Sequence, residues 1–259
     1  MLPMLIGSYL MHREDTAIGP PMRNMLYIAA KAPRAGVAKT RLGAGLGHDQ
    51  AIALYRAFLC DLATGFTLTD APFVVGWYIT PEDAWDDLAP LVSANGPAAR
   101  VLVQGGGTWT ERQQMLFRGA AARGEERVIL VASDSPQLRA AVVAEAFDHL
   151  DTHDVVLGPT SDGGYYLIGM RGWHDILGSI PMSTNTVFDD ILARATAMNV
   201  SIGLVETLFD IDEAADLDQL RRLVNERQDL VATRAVLAAI KDVDQASRPT
   251  VIAPESSKG

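Results

Sequence analysis

The stretch 128–136, with the sequence VILVASDSP, constrains the fold of this chain more than any other. Its first five residues are apolar, which is the pattern of a strand buried on both faces of a sheet. Asp134 follows at the carboxyl end, and Pro136 ends the strand because it has no N–H group for the β-ladder. Apolar residues of 137–150 then recur at helical spacing. This order indicates an open α/β sheet, whose ligands bind beyond the carboxyl ends of the strands.

The rest of the chain repeats the alternation of strands and helices. Further strands are predicted at 25–30, 72–79, 100–104, 153–157, 165–170 and 200–205. Further helices are predicted at 49–66, 82–93, 110–123, 187–198, 214–225 and 230–240. The alternation predicts an α/β fold with a mostly parallel central sheet and helices on both faces. The passage 158–164 is too short and too rich in turn residues for a helix, so the strands on either side of it are expected to turn back on each other.

Composition limits the classes of function that are open to this chain. It has 259 residues and a formal net charge of -10, whereas a nucleic-acid-binding protein usually carries a basic face. Cys60 is the only cysteine, so an internal disulfide and a Cys-based zinc site are both excluded. No apolar run approaches the ~20 residues of a membrane span. We expect a cytoplasmic protein that acts on small molecules, without nucleic-acid or membrane partners, and a homodimer is left open.

Domain organisation follows from the same patterns. Residues 1–24 are predicted to be a flexible leader, because the first convincing strand begins after them. Residues 25–240 are predicted to form one domain, since a chain of this length suffices for a single buried core. Residues 241–259 are polar and contain proline and serine, so we predict a disordered tail.

A basic loop follows the first predicted strand. The sequence of 31–42 is KAPRAGVAKTRL, which contains four bases and a glycine that lets the backbone turn tightly. Such a loop suits the phosphates of a nucleotide, although a solvated charged loop would have the same composition. It is not a Walker P-loop, because Pro33 and Ala38 stand where that motif requires glycines.

Three polar sites each allow a functional and a structural interpretation. Asp134 either binds a divalent cation through its oxygens or caps the helix that follows it. Asp162 lies in the turn GPTSDGG at 158–164, which is either a functional tip or an ordinary Asp-Gly turn. Thr184 belongs to the polar segment PMSTNT at 181–186, whose hydroxyls either contact a ligand or only cap the next helix.

Five segments in a fixed order give the chain a family resemblance. They are KAPR with KTRL at 31–42, SDSP at 133–136, LGPTSDGGYYLIG at 157–169, STNTVF at 183–188 and DID at 210–212. With them, the chain resembles the bacterial GT-A-like glycosyltransferases of the arsenosugar-biosynthesis and radical-SAM-associated type. Those enzymes are in turn similar to the guanylyltransferases of molybdenum-cofactor and phospholactate pathways. The resemblance covers about 25–240 and implies a single-domain GT-A fold.

The resemblance also implies a division of roles among the residues. Nucleotide binding falls to residues of the basic loop and the Asp134 strand, namely Lys31, Ala32, Pro33, Arg34, Lys39, Arg41 and Ser133. The donor-sugar or acceptor pocket falls to Gly163, Gly164, Tyr165 and Thr184. Asp134 and Asp212 are expected to hold Mg²⁺ or Mn²⁺, and Asp162 or Asp212 to act as the general base.

The expected function is that of a metal-dependent glycosyltransferase with a nucleotide-sugar donor and a small-molecule acceptor. One alternative is a nucleotidyltransferase that uses an NTP and a small phosphorylated or carboxylated metabolite; another is a nucleotide-binding regulator without turnover. An NAD-dependent dehydrogenase is disfavoured, because no G-x-G-x-x-G follows the first strand. The segment 104–112 departs from the family pattern Gly-Asp-Leu-Gly-Glu-Arg, as do Gln137 and Glu213, which indicates a changed acceptor or a weakened activity.

Overall fold

A central sheet organises the molecule. The computed structural model describes the chain over residues 24–67, 72–93, 98, 100–178, 180–182 and 184–246, and for 241–246 it describes the backbone only. The seven strands found in these ranges are β1 (Asn24–Lys31), β2 (Val74–Thr80), β3 (Arg100–Val103), β4 (Arg127–Ala132), β5 (Val155–Pro159), β6 (Tyr165–Arg171) and β7 (Ile202–Leu204). Their order in the sheet is β3-β2-β1-β4-β6-β5-β7.

The sheet is mostly parallel, as the alternation predicts. β1 pairs in parallel with both β2 and β4, and β2 with β3. β6 runs antiparallel to β4 and to β5. The predicted strand pair around 153–170 is therefore confirmed, because a connection of only a few residues cannot make a parallel crossover.

Helices cover both faces of the sheet. They are α1 (Thr40–Leu46), α2 (His48–Thr67), α3 (Trp85–Val92), α4 (Trp109–Ala122), α5 (Ala140–Thr152), α6 (Val187–Ala197), α7 (Leu217–Glu226) and α8 (Val231–Ala246), with short 3-10 turns at Glu82–Ala84 and Ala214–Asp216. Alternate residues of β1 enter two separate cores: Leu26 and Ile28 pack with α2, α5 and α8, whereas Met25 and Tyr27 pack with α4 and α6. Burial on both faces explains why β1 and β4 are continuous apolar runs.

The predicted domain limits differ slightly from the observed elements. β1 already begins at Asn24, the last residue of the predicted leader, and α8 continues to Ala246, six residues past the predicted end of the domain. The rest of the predicted leader and tail lies outside the described residues. Among the residues that are described, no helix is long and apolar enough to cross a membrane.

Candidate nucleotide and acceptor site

A cavity of about 490 Å³ lies at the carboxyl ends of β1 and β4. Its walls come from the end of β1, the basic loop, the residues after β4 and the loop that follows β7. Another part of the wall comes from the segment between β3 and α4. This is the edge of an α/β sheet at which ligands bind, so the place predicted for the functional site is the place where the cavity is found.

Lys39 holds two carboxylates together at the floor of this cavity. Its Nζ lies 3.1 Å from Oδ2 of Asp134 and 3.0 Å from Oδ1 of Asp212, and it donates a third hydrogen bond of 2.8 Å to the carbonyl oxygen of Ile211. Only 5% of the Lys39 side chain is exposed. The residue also has a positive φ of 49°, which is rare outside glycine and is often found at functional sites.

The charges of this cluster are fixed by their mutual attraction. Burial opposes the ionised form of both Lys39 and Asp134. Burial is the largest single influence on each, but the nearby opposite charges, including Asp212 for Lys39, and the hydrogen bonds together outweigh it, so that the pKa of Asp134 is held below its usual range and the pKa of Lys39 above its own. The pair is therefore ionised at neutral pH and presents a fixed ammonium between carboxylates.

Asp210 is a third carboxyl group on the same cavity wall. Its Oδ1 accepts a 2.5 Å hydrogen bond from the hydroxyl of Ser135. Burial, followed by the negative charge of Asp134, raises the pKa of Asp210 to about 7. Asp210 belongs to the DID motif at 210–212 but is not among the predicted site residues; its spacing, two residues before Asp212, is the signal that could have identified it.

The acidic loop 209–213 is held from several sides. The backbone N–H of Ile211 donates to the carbonyl oxygen of Asp134 over 3.2 Å, and that of Asp212 donates to Oδ2 of Asp216 over 2.8 Å. Gln137 donates from its side-chain amide to the carbonyl oxygen of Phe209. The departure at Gln137 therefore has a structural use, because it fixes the residue that precedes Asp210.

The helix-cap interpretation of Asp134 is wrong. The N-cap of α5 is Arg139, five residues further on, and its side chain makes no capping hydrogen bond. The carboxylate of Asp134 faces Lys39 and the cavity instead. The other interpretation, that Asp134 binds a divalent cation, stays a prediction.

The basic loop divides into residues that reach the cavity and residues that do not. Lys31, Lys39 and Arg41 line it. Ala32 and Pro33 are buried and are not part of the described lining. Arg34 is paired away from it, with Nη1 2.8 Å from Oδ2 of Asp83 and Nε 2.5 Å from Oδ2 of Asp87. These acids flank the start of α3, and they reach Arg34 only because β1 and β2 are neighbours.

Ser133 lines the cavity, and a buried tyrosine fixes its position. The hydroxyls of Ser133 and Tyr55 lie 2.9 Å apart, and the backbone N–H of Lys31 donates to the Tyr55 hydroxyl over 3.1 Å. Tyr55 therefore connects α2 to the ends of both central strands. No signal in the sequence indicates this role, since Tyr55 occupies an apolar helical position like its neighbours.

A second cavity of about 530 Å³ adjoins the first. Four residues line both cavities: Arg41, Trp109, Met182 and Asp210. The second is otherwise lined by Thr160, Asp162, Gly164, Tyr165, Thr184, Asn185 and Val187. The structure thus brings Gly164, Tyr165 and Thr184, all predicted to bind a substrate, to one place. Gly163 is not part of the described lining.

The turn that forms one wall of the second cavity depends on Asp162 and Gly163. Oδ1 of Asp162 accepts hydrogen bonds from Oγ1 of Thr160 at 2.5 Å and from the backbone N–H of Gly164 at 3.1 Å. Gly163 has φ +89°, and a Cβ there would lie 1.9 Å from the carbonyl oxygen of Asn185. Only glycine allows the turn to approach the segment before α6 so closely.

The predicted divalent cation stays a prediction. Within the described part of the chain, no group of three or more His, Cys, Asp or Glu residues is arranged to hold a metal ion. Asp134, Asp210 and Asp212 nevertheless line one cavity, and their oxygens are the ligands that hard cations prefer. Burial, followed by the negative charge of Asp134, raises the pKa of Asp210, and a cation bound between these carboxyl groups would favour its ionised form.

Comparison with known proteins gives three findings. A family model described as an uncharacterized protein conserved in bacteria (DUF2064) matches residues 69–184. The chain is 34% identical over 208 residues to the 3-phospho-D-glycerate guanylyltransferase of Phenylobacterium zucineum (strain HLK1), covering 75% of this chain and 89% of that relative. It is also similar to a crystal structure from Desulfovibrio desulfuricans G20 described as a nucleotide-diphospho-sugar transferase, with 26% identity, a TM-score of 0.74 and coverage of 85% and 98%.

The fold and its cavity at the strand ends therefore define a transferase with the architecture of the nucleotide-diphospho-sugar transferases. Within that class, the chain belongs to the family of 3-phospho-D-glycerate guanylyltransferase. The predicted fold is confirmed, as is the predicted relation to guanylyltransferases at the level of the family. The arsenosugar-biosynthesis part of the resemblance stays a prediction.

Proposed function

We propose that the protein is a nucleotidyltransferase that moves a guanylyl group from GTP to a small phosphorylated acid of the 3-phosphoglycerate class. The observation that carries this proposal is the pair of adjoining cavities, one beside the Lys39 cluster and one beside the 160–164 turn. Two substrates held side by side react as if at high concentration. The name of the P. zucineum relative supports the choice of nucleotide and acceptor.

In the proposed reaction, a phosphate oxygen of the acceptor attacks the α-phosphorus of GTP. The bond from that phosphorus to the oxygen bridging the α- and β-phosphates breaks, and pyrophosphate leaves with the bonding electrons. Negative charge grows on the leaving group, so cations fixed beside it lower the barrier. Lys31 and Arg41 line the cavity and supply such cations, while Lys39 holds Asp134 and Asp212 in place.

This reaction does not need a general base, because a phosphate acceptor is already ionised. Asp162 then shapes the turn through its hydrogen bonds and removes no proton. Transfer of a sugar to a hydroxyl group would need a base, and Asp162 would be the candidate in the second cavity. The role of Asp162 therefore depends on the reaction type: it is a base if a sugar is transferred, and only a part of the turn if a nucleotidyl group is transferred.

We also propose that Mg²⁺ or Mn²⁺ is the cofactor. Asp134, Asp210 and Asp212 would hold it, since their carboxyl groups line the first cavity. When bound, the cation would neutralise charge on the triphosphate and the leaving pyrophosphate. The ammonium of Lys39 already supplies one positive charge between two of these carboxylates.

The glycosyltransferase hypothesis remains the second candidate, because the D. desulfuricans protein is described as a nucleotide-diphospho-sugar transferase.

The test compares two reactions, both with Mg²⁺ and with 3-phospho-D-glycerate as the acceptor. One contains GTP, and the other contains a GDP- or UDP-sugar. Release of pyrophosphate from GTP supports the proposal, and consumption of a sugar nucleotide supports the second candidate. A melting temperature that rises with nucleotide while nothing is converted indicates a binding protein without turnover.

A further inference from the structure

One cation of the first cavity takes no part in the mechanism above. Arg112, in the first turn of α4, lines the cavity but forms no ion pair with any carboxylate in the ranges that the structure describes. Lys39 and Arg41, by contrast, are both paired with Asp212. A guanidinium beside a cavity and without a counter-charge is available to a ligand, so the question is which part of the ligand it meets.

Arg112 is held in a closed ring of hydrogen bonds. Its Nη1 donates to Oε1 of Gln104 over 3.4 Å, and Nε2 of Gln104 donates to the carbonyl oxygen of Tyr78 over 2.8 Å. The hydroxyl of Tyr78 then donates to the carbonyl oxygen of Arg112 over 2.7 Å, which closes the ring. Gln104 is buried and both ends of its amide are used. The guanidinium is therefore positioned before any ligand arrives.

Three donors of this guanidinium are left for a ligand. Arginine has five N–H groups in a rigid plane. One, on Nε, donates to the carbonyl oxygen of Gly107 over 3.1 Å, and one on Nη1 is used by Gln104. The remaining donors match a planar ligand that offers two neighbouring acceptors, because the fork of arginine binds such pairs with two parallel hydrogen bonds.

The position of Arg112 along the sheet separates it from the phosphate-binding cluster. Gln104, which orients it, directly follows β3, whereas Asp134 follows β4, and β2 and β1 lie between these strands. Three steps between neighbouring strands amount to about 14 Å. A nucleoside triphosphate is elongated, with its charge at one end and its base at the other. With the phosphates at Lys31 and Arg41, the base reaches the β3 end.

The surroundings of Arg112 also suit a base better than a phosphate. Trp109 is one turn before it in α4 and is 37% exposed, although tryptophan is usually well buried. It lines the cavity and offers an aromatic face on which a base can stack. The face of an indole carries no positive charge, so it suits the stacking of a base better than the binding of a phosphate.

We infer that Arg112 is the residue that selects guanine, by donating two hydrogen bonds to O6 and N7 of the base. This inference rests on the proposed function. Guanine presents two neighbouring acceptors on that edge, whereas adenine presents N7 beside an amino group that is itself a donor. Arginine has donors only. Adenine therefore meets a donor with a donor, and the ring with Gln104 and Tyr78 prevents the guanidinium from turning away.

The test measures the binding of ligands to the full chain by calorimetry. The ligands are GTP, ITP, 7-deaza-GTP, ATP and inorganic triphosphate, with the wild type, Arg112→Met and Arg118→Met. Arg118 is the matched control, because it lies in the same helix, contacts Trp173 and does not line the cavity. The wild type should bind GTP and ITP alike, since both carry O6 and N7, and should bind 7-deaza-GTP and ATP about tenfold or more weakly.

Arg112→Met should abolish these preferences and leave the affinity for inorganic triphosphate unchanged, whereas Arg118→Met should behave as the wild type. The measurements on the wild type do not depend on the folding of any variant. If the wild type binds GTP and 7-deaza-GTP equally well, the inference is overturned. Persistent preference for GTP in Arg112→Met would overturn it too, as would a parallel loss of triphosphate binding, which would make Arg112 a phosphate ligand. A wild type that binds no nucleotide at all would instead refute the proposed function, and this inference with it.

Discussion

Two charged clusters lie at opposite ends of the strands of one sheet, and the sign of the central charge differs between them. In one, the Lys39 ammonium sits between Asp134 and Asp212, and both acids line a cavity. In the other, near the amino ends of β3 and β4, Glu125 is the central group. Both of its oxygens are contacted by Arg123 and by the Tyr27 hydroxyl at 3.0–3.1 Å.

The difference between the clusters is the access of a ligand. The Glu125 side chain is 2% exposed, its oxygens already have partners, and it lines neither cavity. Asp134 and Asp212 are each about one-third exposed and face open space. A perturbed pKa does not distinguish the two, because burial also raises the pKa of Tyr27. Charge that is buried and fully paired stabilises or orients the fold, and charge that faces a cavity is available for function.

The largest expected effect on stability comes from the enclosed cluster. Glu125→Gln keeps the shape of the side chain but leaves Arg123 and the nearby Arg100 without their counter-charge. Breaking a buried ion pair in this way costs about 3–5 kcal/mol. Urea unfolding should show this loss, while turnover of the protein that remains folded is unchanged. A loss of turnover at full stability would contradict the division between the two clusters.

The matched change in the open cluster should have the opposite result. Asp134→Asn is expected to lower turnover by about 100-fold or more, since a neutral amide is a poorer ligand than a carboxylate for the proposed cation beside the triphosphate. Stability should fall little, because Lys39 keeps its contacts with Asp212 and the Ile211 carbonyl. Turnover assays and urea unfolding on the same preparation check both points. An Asp134→Asn variant that turns over normally would show that this carboxylate is not part of the catalytic site.

Sequence reasoning succeeded where a signal was local. The strand pair at 153–170 follows from the short turn between its members, and the position of Asp134 at the carboxyl end of the sheet, where it lines a cavity, follows from its place after a buried strand. The architecture follows from the alternation of elements, since such alternation leaves few arrangements. Each of these inferences needs residues that are close together in the chain.

It failed where a role depends on residues far apart in the chain. Arg34 belongs to the basic loop by composition, but its partners Asp83 and Asp87 are 49 and 53 residues away. Lys39 contacts acids 95 and 173 residues away, so its bridging position has no local signature. Tyr55 is an ordinary apolar position in α2 until the fold brings Ser133 to its hydroxyl. Contacts of this kind exist only after the sheet has formed.

A third charged group extends the comparison to the far edge of the sheet. The backbone N–H and the hydroxyl of Ser201 both donate to Asp154, at 3.0 and 2.7 Å, and lower the pKa of Asp154 to about 2. Its side chain is 29% exposed. Because the folded pKa lies below the unfolded value of about 3.9, the stabilisation is present above pH 4 and is lost as the pH falls towards 2.

Asp154→Asn should therefore cost about 1–2 kcal/mol at pH 7, after allowance for screening by solvent. The difference between the variant and the wild type should disappear between pH 4 and pH 2. Unfolding in urea at a series of pH values measures it. A difference that stays constant over this range would mean that packing or hydrogen-bond geometry, and not the charge of Asp154, links β5 to the segment before β7.

The smallest effect is expected at Arg34, and it sharpens the comparison within the basic loop. Arg34 is partly exposed and paired with Asp83 and Asp87, away from the cavity. Ion pairs at a surface contribute little to stability, because water and salt screen them. Arg34→Ala should therefore lower stability slightly and leave the affinity for nucleotide within about twofold of the wild type.

Arg41→Ala, which removes a cation that lines both cavities, should weaken nucleotide binding several-fold, by about 1 kcal/mol. Calorimetry measures the affinity of both variants for nucleotide. If Arg34→Ala loses as much affinity as Arg41→Ala, the loop binds phosphate in a conformation in which Arg34 has left its partners Asp83 and Asp87.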